Sequence, residues 1–444
     1  MQYRNDTVTI KRNLKKSSRP LFFILMIMAC GLSGYQAVAI DDVYPSYSFN
    51  GFATLGAVYS DEDQADFVSS WLLQPNGAGS TSEWHAGVDT KLGGQLDIQF
   101  NPAFSAVLQV VVQRQEDNAW TPEIEWANIK YQFNDNLSLR LGRTVLQTFM
   151  VSDTRLVGYA NPWIRGPQEV YQLNPLTNFD GLDLTYSQEF DSGRNIMQLN
   201  FGQSNRDIIR DGQIRARNGL VLINTFEVDF ATLRLMYMRA KLDLSIEQSD
   251  LAFDAYATLG NALSLIPGQE ANAAQARAIS TRYLVEDARV ELYSVGVKLE
   301  PGNWLLMGEW GHVSETGALA EVQGGYTTIA YHFAELMPFL TLAEVNGDTP
   351  NEPGLSTTGM PPPLAAEVNQ LNQGLNTLLL QASAAQKSIT AGLRWDFHPG
   401  AALKLQYQHI DIDKQSPGRL GNVQPGFSPG GTVNVFSTAI DLVF

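Results

Sequence analysis

The chain has 444 residues, with 30 Lys and Arg against 46 Asp and Glu, and a formal net charge of −16 at pH 7. This acidic balance argues against a nucleic-acid partner, because binding nucleic acid needs a basic stripe that neutralises phosphates. The single cysteine, Cys30, argues against a disulfide framework and against a cysteine-based metal site.

The N-terminus has the composition of an export signal. Six basic residues occur within the first 19 positions, and an apolar stretch too short to span a membrane follows at 21–32. Ala37-Val38-Ala39 then gives the small-x-small pattern of a cleavage site. We predict a signal peptide at residues 1–39, cleavage before Ile40, and one mature domain at 40–444.

A second processing route ends in the same compartment. Ile27-Met28-Ala29-Cys30 loosely resembles a lipoprotein processing box, which would leave a lipid on Cys30. Ordinary cleavage would remove six basic residues and one acidic residue, leaving 24 against 45 and a net charge of about −21. This charge fits either acidic loops facing solvent or an acidic vestibule that favours cations.

Residues 86–113 show the pattern that organises the mature chain. Over 86–100 the even positions are mostly apolar, and the odd positions carry glycine, charged or amide side chains. Asn101 and Pro102 predict a tight turn, after which apolar residues resume at even positions through Val112. A tilted strand needs about nine to eleven residues to cross a bilayer. The stretch therefore predicts two membrane-crossing strands whose polar face lines water.

Segments of this kind recur to the end of the chain. We predict sixteen strands, at 46–60, 84–100, 103–113, 123–133, 137–143, 181–190, 195–203, 219–228, 232–242, 287–299, 303–313, 325–333, 337–345, 387–397, 401–410 and 432–444. Seven short turns alternate with eight connections of about ten to forty residues. An outer-membrane barrel has this asymmetry, with short periplasmic turns and long extracellular loops.

The predicted fold is an all-β, closed antiparallel transmembrane β-barrel of about 16 strands. Closure is required in lipid, because an unpaired strand edge would leave backbone donors and acceptors without water. A large soluble sandwich or barrel is the alternative, but it gives no reason for one end to have only short turns. Several aromatic residues near predicted strand ends fit interfacial girdles: Tyr47, Tyr59, Trp126, Tyr131, Trp304, Trp310, Trp395, Phe397 and Tyr407.

The last predicted strand places Phe436, Thr438, Ile440, Leu442 and Phe444 on one face. A long amphipathic final strand ending in phenylalanine resembles the assembly signal of Gram-negative outer-membrane barrels. The sixteen-strand layout resembles the general porin family. The resemblance implies a place in the outer membrane among its lipids, recognition of the final strand by the barrel-assembly machinery, and a homotrimer.

The predicted subunit interface lies on the first strand. Its outward face carries the small residues Gly51, Ala53 and Ala57 among Tyr47, Phe49, Leu55 and Tyr59. In porins this neighbourhood forms the contact between subunits, and small residues allow surfaces to approach closely.

The third long loop, around 143–179, is the predicted pore constriction. In the porin family the loop at this position folds inward, and its length and apolar residues here favour ordered packing. We expect acidic groups of the loop to face basic groups on the barrel wall across a narrow pore. The candidates are Arg140, Arg143, Asp153, Arg155, Arg165 and Glu169.

Other charges have a parity opposite to the apolar face of their strands, which predicts that they face the lumen. They are Asp89, Lys91, Asp97, Arg394 and Lys404. Two loops, 251–279 and 364–386, are rich in alanine and leucine and predict helices. These helices could cap or enter the lumen, or pack on the outer rim.

The function that these features predict is passive diffusion of ions and small hydrophilic solutes, with a preference for cations. A substrate-selective channel is the alternative within this class. An outer-membrane phospholipase-like enzyme would use His312 and Ser314, for which no orienting residue is identifiable, and an adhesion or scaffold protein would use only the loops. The histidines show no metal-ligand spacing, so we predict no catalytic residues, no cofactor and no metal.

Overall fold

The computed structural model describes residues 44–315, 321–347 and 352–444, so the predicted signal peptide and Cys30 lie outside it. Sixteen long strands in these ranges each coincide with a predicted strand, although several ends differ. They are β1 Ser46–Ser60, β2 Lys91–Asn101, β3 Phe104–Gln113, β4 Pro122–Gln132, β5 Leu137–Val145, β6 Asn178–Phe190, β7 Gly193–Ile208, β8 Gly212–Val228, β9 Ala231–Ser245, β10 Val285–Leu299, β11 Trp304–Glu315, β12 Val322–Tyr331, β13 Leu336–Gly347, β14 Gln386–His398, β15 Ala401–Ile412 and β16 Thr432–Val443.

The sheet closes on itself through its first and last strands. β1 pairs antiparallel with β2, where Ala53 is opposite Leu92, and with β16, where Leu55 is opposite Ile440. The remaining strands pair with their neighbours in chain order. The prediction of a closed antiparallel barrel of sixteen strands is therefore confirmed.

Side chains alternate between the interior and the outer wall. On β15, Lys404, Gln406 and Gln408 are buried, whereas Leu405 is 51% exposed and Tyr407 is 38% exposed. Apolar groups thus cover the outer wall, as a lipid environment requires.

One aromatic residue departs from the predicted girdle. Trp126 lies opposite Gln109, whose side chain donates a hydrogen bond of 2.9 Å to the lumenal Gln95. The strand register shifts between Gln109 and Val110, and this irregularity places Trp126 on the inner face. Trp126 was therefore wrongly predicted to lie in an interfacial girdle.

The two ends of the barrel differ as predicted, with two exceptions among the long connections, which have three and six residues. Short connections join alternate strand pairs at one end, where exposed rings such as Trp304 and Tyr331 pack 4.7 Å apart. We number the connections at the other end L1 61–90, L2 114–121, L3 146–177, L4 209–211, L5 246–284, L6 316–321, L7 348–385 and L8 413–431. L4 was predicted to be long, but β7 and β8 extend as a hairpin and leave only three residues between them.

Helices occur in three of these loops. L3 holds a short 3-10 helix, Gly158–Ala160, and the one-turn helix α1, Gln168–Tyr171. L5 forms α2, Glu247–Leu263, and α3, Glu270–Arg282, and L7 forms α4, Pro362–Ala382, which starts at prolines suited to a first helical turn. None of the helices in the described residues is long and apolar enough to cross a membrane.

The three long helices pack together through their apolar faces. Phe253 and Tyr256 of α2, Ile279 of α3, and Val368 and Leu375 of α4 belong to one buried cluster. This cluster agrees with the helices predicted for 251–279 and 364–386.

Candidate functional site: the loop inside the barrel

L3 lies inside the barrel and is hydrogen-bonded to the wall. The backbone N–H of Met150 donates to Glu309 on β11 at 2.7 Å. The indole of Trp163, which is 1% exposed, donates to the Thr341 hydroxyl on β13 at 2.9 Å. Since both partners are on inward faces, the loop crosses the lumen.

Lys404 holds the middle of L3 against β15. Its ammonium donates to the carbonyls of Gly158 at 2.7 Å and Trp163 at 2.8 Å. It also forms an ion pair of 2.8 Å with Asp441 on β16, and both side chains are fully buried. Asp441 accepts a further hydrogen bond from Thr54 of β1 at 2.6 Å, so this cluster also spans the closure of the barrel.

Arg394 on β14 binds the same stretch of L3. Its guanidinium donates to the carbonyls of Tyr159 at 2.6 Å and Asn161 at 3.2 Å, and it lies 4.6 Å from the centre of the Tyr159 ring. Asp396 balances its charge at 2.7 Å. Arg394 and Lys404 therefore bind L3 from the inner side of the barrel wall instead of facing open water.

Arg165 ties L3 to the side of the barrel where the sheet closes. Its guanidinium donates to Asp89 at 2.8 Å and makes a second, shorter contact with the same carboxylate. It also donates to the Ser437 hydroxyl on β16 at 2.9 Å. A bidentate pair of this kind fixes geometry as well as charge.

Glu169 is fully buried at the other end of L3. One carboxylate oxygen accepts a hydrogen bond of 2.7 Å from Gln386 of β14. The same Gln386 side chain accepts from the backbone N–H of Arg419 in L8 at 2.7 Å. L3, β14 and L8 are thus joined through one amide.

Arg155 and Asp153 have different surroundings. Arg155 is half-buried and lines a cavity of about 120 Å³ together with the cations Lys91, Arg114 and Arg206. Burial lowers the pKa of Arg155, and the nearby Arg206 adds to that effect. Asp153 is half-buried and forms no ion pair within the described residues.

The wall arginines predicted to face L3 bind other partners. Arg140 faces the lumen and forms an ion pair of 3.3 Å with Asp183 on β6. Arg143 forms one of 2.8 Å with Asp180, and it shares the outward parity of Leu141, which is 45% exposed. The expected pairing of these arginines with Asp153 or Glu169 is wrong. The neighbouring strand β6 places Asp183 directly opposite Arg140 and Asp180 directly opposite Arg143.

The remaining predicted lumenal charge is Asp97 of β2. It accepts hydrogen bonds from Gln95 at 3.0 Å and from Asn50 at 3.4 Å. It lies on the inner face beside the turn end of the barrel, away from L3.

Half of the lumen is apolar, which the sequence analysis did not predict. Inward residues of β8 to β13 such as Ile223, Met236, Leu292, Met307 and Phe339 are buried against L3. The available signal was loss of alternation, since runs like Leu220-Val221-Leu222-Ile223 are apolar on both faces.

The enzyme candidates His312 and Ser314 are on the outer face of β11. The His312 ring stacks on Trp310 with 5.9 Å between ring centres. No hydrogen bond joins His312 to Ser314 in the part of the chain that the structure describes. In the same ranges, no group of three or more His, Cys, Asp or Glu side chains is placed to hold a metal ion.

A closed sixteen-strand barrel with a loop hydrogen-bonded across its lumen defines a porin-type fold, and solved structures agree. The anion-selective porin from Comamonas acidovorans matches with a TM-score of 0.52 and 11% identity, covering 90% of this chain and 100% of that chain. Salmonella typhi OmpF, in complex with daunomycin, matches with a TM-score of 0.50 and 13% identity, covering 90% and 97%. No family model and no curated protein matches the sequence.

Proposed function

We propose that this protein is a channel of the Gram-negative outer membrane through which ions and small hydrophilic solutes diffuse passively. The observation that carries the proposal is L3, which lies within a closed barrel and is bonded to β11, β13, β14, β15 and β16. Such a loop narrows the lumen and filters solutes by size and charge. Lumenal side chains of β2 to β6, including Lys91, Lys130 and Arg140, supply a polar wall.

The charge preference of the channel has two opposed determinants. The net charge of −16 supports the predicted cation preference. The cavity beside L3 is instead lined by five cations and one carboxylate, which favours anions there: Lys91, Arg114, Arg155, Arg165 and Arg206, with Asp89. A reversal potential measured across a salt gradient distinguishes them, since its sign reports which ion passes more easily.

The proposal is tested by planar-bilayer recordings of refolded protein. We expect discrete conductance steps from protein whose barrel is shown to be folded by heat-modifiable migration in gels. An absence of conductance steps from folded protein under these conditions would overturn the channel proposal and leave a scaffold or adhesion role for the loops.

A substrate-selective channel is the second candidate. It is supported by α2, α3 and α4, because Phe253, Leu375 and Leu379 line one cavity together with inward residues of the barrel wall such as Met238 and Leu292. Helices that packed only on the outer rim of the barrel would not reach those residues. Solute-dependent block of the ionic current at micromolar concentration would favour this candidate over a general pore.

A catalytic role is not part of the proposal. His312 stacks on Trp310 and is not joined to Ser314 by a hydrogen bond in the described residues, whereas a serine nucleophile needs an adjacent base. The control is a lipase assay with the native protein and the Ser314→Ala variant. Lipase activity that is present in the native protein and lost in the variant would establish an enzymatic function.

The cellular setting belongs to the same proposal. It comprises export by the signal peptide at 1–39, contact with outer-membrane lipid, and assembly by the machinery that recognises a final strand ending in Phe444. We also propose a homotrimer whose subunits meet at β1. The small side chains of Ala53 and Ala57 there allow the outer walls of two subunits to approach closely.

A further inference from the structure

The apolar half of the lumen contains a cavity on the side of the long loops. It has a volume of about 310 Å³ and lies between inward residues of β9 and β10, such as Met238 and Leu292, and the helix α4, which contributes Leu375 and Leu379. L8 closes it from the side through Leu420. The cavity adjoins the small basic cavity beside L3, since Gln172 and Pro175 line both.

This space is too large and too apolar to be a packing defect. Protein interiors are close-packed, and few voids exceed the size of a water molecule. A water occupies about 30 Å³ of liquid, and it needs two to four polar partners to be held. Most of the lining is Leu, Ile, Val, Met and Phe, which offers few such partners. Volume and lining are those of a site for a small, mainly apolar molecule.

One buried charge lines the cavity. Arg419 of L8 is 5% exposed, and its side chain makes no hydrogen bond or ion pair with any residue that the structure describes. The two other charged lining residues, Arg210 and Asp250, have partners of their own. A buried guanidinium without partners is energetically unfavourable, because it has lost its hydrogen bonds to water and no protein hydrogen bond replaces them.

The carboxylate that offsets the charge of Arg419 is Glu169. Burial lowers the pKa of Arg419 to about 10 and Glu169 acts in the opposite direction, so the guanidinium stays protonated at neutral pH. Glu169 is itself held by Gln386 at 2.7 Å and does not bind the guanidinium directly. The donors of Arg419 therefore remain available to a group inside the cavity.

We propose that this cavity binds an amphipathic monocarboxylate, with its hydrocarbon or aromatic body against the Leu, Met and Phe wall and its carboxylate on Arg419. The geometry pairs an apolar surface with the buried guanidinium of Arg419, whose fork of N–H groups matches a carboxylate. Binding satisfies the buried guanidinium, and the body displaces weakly held water from the apolar wall. The site exists whether or not ions pass through the barrel.

The test is isothermal titration calorimetry of the detergent-solubilised barrel with 4-phenylbutanoate and its neutral analogue 4-phenylbutan-1-ol. Titration into detergent alone removes the heat of partition into micelles. We expect the carboxylate to bind at least about tenfold more tightly than the alcohol, as a charged hydrogen-bonded pair implies. Equal affinities, or no binding to folded protein, would overturn the proposal.

Two variants separate the head-group contact from the cavity itself. Arg419→Met should remove the preference for the carboxylate and leave the affinity for the alcohol unchanged. Ala240→Phe, on the cavity wall, should abolish binding of both. Arg143→Met, which removes an arginine from the outer face, is the matched control and should bind as the native protein does.

Each variant result is decisive. If Arg419→Met weakens both ligands equally, its role is structural and the carboxylate site is wrong. If Ala240→Phe binds normally, the ligand is elsewhere. If Arg419→Met does not fold, the comparison of the two ligands on native protein still decides, and it requires no ion current. A failure of this site and a failure of the channel are therefore distinguishable.

Discussion

Lys404 and Asp441 form a fully buried ion pair, 2.8 Å apart, on the inner side of the barrel wall. The pair is surrounded by hydrogen bonds, since Lys404 donates to two L3 carbonyls and Asp441 accepts from Thr54. A buried pair with this support is tolerated, whereas either charge alone is strongly unfavourable.

We predict that Lys404→Met lowers the free energy of unfolding by about 3–5 kcal/mol, because it leaves Asp441 buried and unpaired. Urea unfolding in lipid vesicles, followed by tryptophan fluorescence, measures the change. The double variant Lys404→Met with Asp441→Leu should recover most of the loss. A double variant as unstable as the single one would contradict the pairing argument.

At the residue scale, the sequence predicted which face a charge occupies better than it predicted its partner. Parity predicted an inward position for Lys404 and Arg394, because a period of two follows directly from strand geometry. Their bonds to L3 carbonyls depend on how a 32-residue loop folds, which no local pattern encodes. Arg143 was misplaced because the lumenal assignment came from its position beside the loop and not from strand parity.

At the scale of elements, L3 is held against several strands of the barrel wall by hydrogen bonds and by one ion pair. Arg165 is the only L3 side chain in the described residues that forms an ion pair with a residue outside the loop, and it meets Asp89 while also binding Ser437. Removing it takes away the bonds of L3 to Asp89 and Ser437, while the bonds to Arg394 and Lys404 remain.

We predict that Arg165→Ala raises single-channel conductance and increases current noise, since the loop can then move away from the β16 side. Planar-bilayer recording measures both quantities. Arg143→Ala is the control, because it removes an arginine of the same charge from the outer wall. An unchanged conductance in Arg165→Ala, with a folded barrel, would show that L3 does not set the narrowest point.

Strands and helices were predictable from the sequence where apolar residues recur with a regular period along the whole element. All sixteen strands carried such a pattern, and so did α4, whose leucines follow Pro361-Pro362-Pro363. The extension of β7 and β8 was missed because Arg206, Arg215 and Arg217 read as loop residues. Their strand pairing beyond the apolar segment is stabilised by ion pairs such as Arg217 with Asp243 at 2.8 Å.

At the scale of the whole molecule, the outer wall around β1 is the proposed subunit contact. We predict that Ala57→Trp converts trimers to monomers, because a bulky ring there holds the surfaces apart. Native electrophoresis of detergent extracts measures the oligomer. Leu222→Trp, on β8 and 45% exposed, is the control halfway round the barrel. A native protein that migrates as a monomer would contradict the trimer itself.

The closure of the barrel and the position of L3 depend on the same strands. Thr54 and Asp441, which meet where β1 and β16 pair, are 387 positions apart, so the wall is completed only when the last strand is in place. L3 depends on the same late strands through Lys404 and Ser437. Closure of the sheet and the position of L3 in the lumen are therefore coupled through β15 and β16.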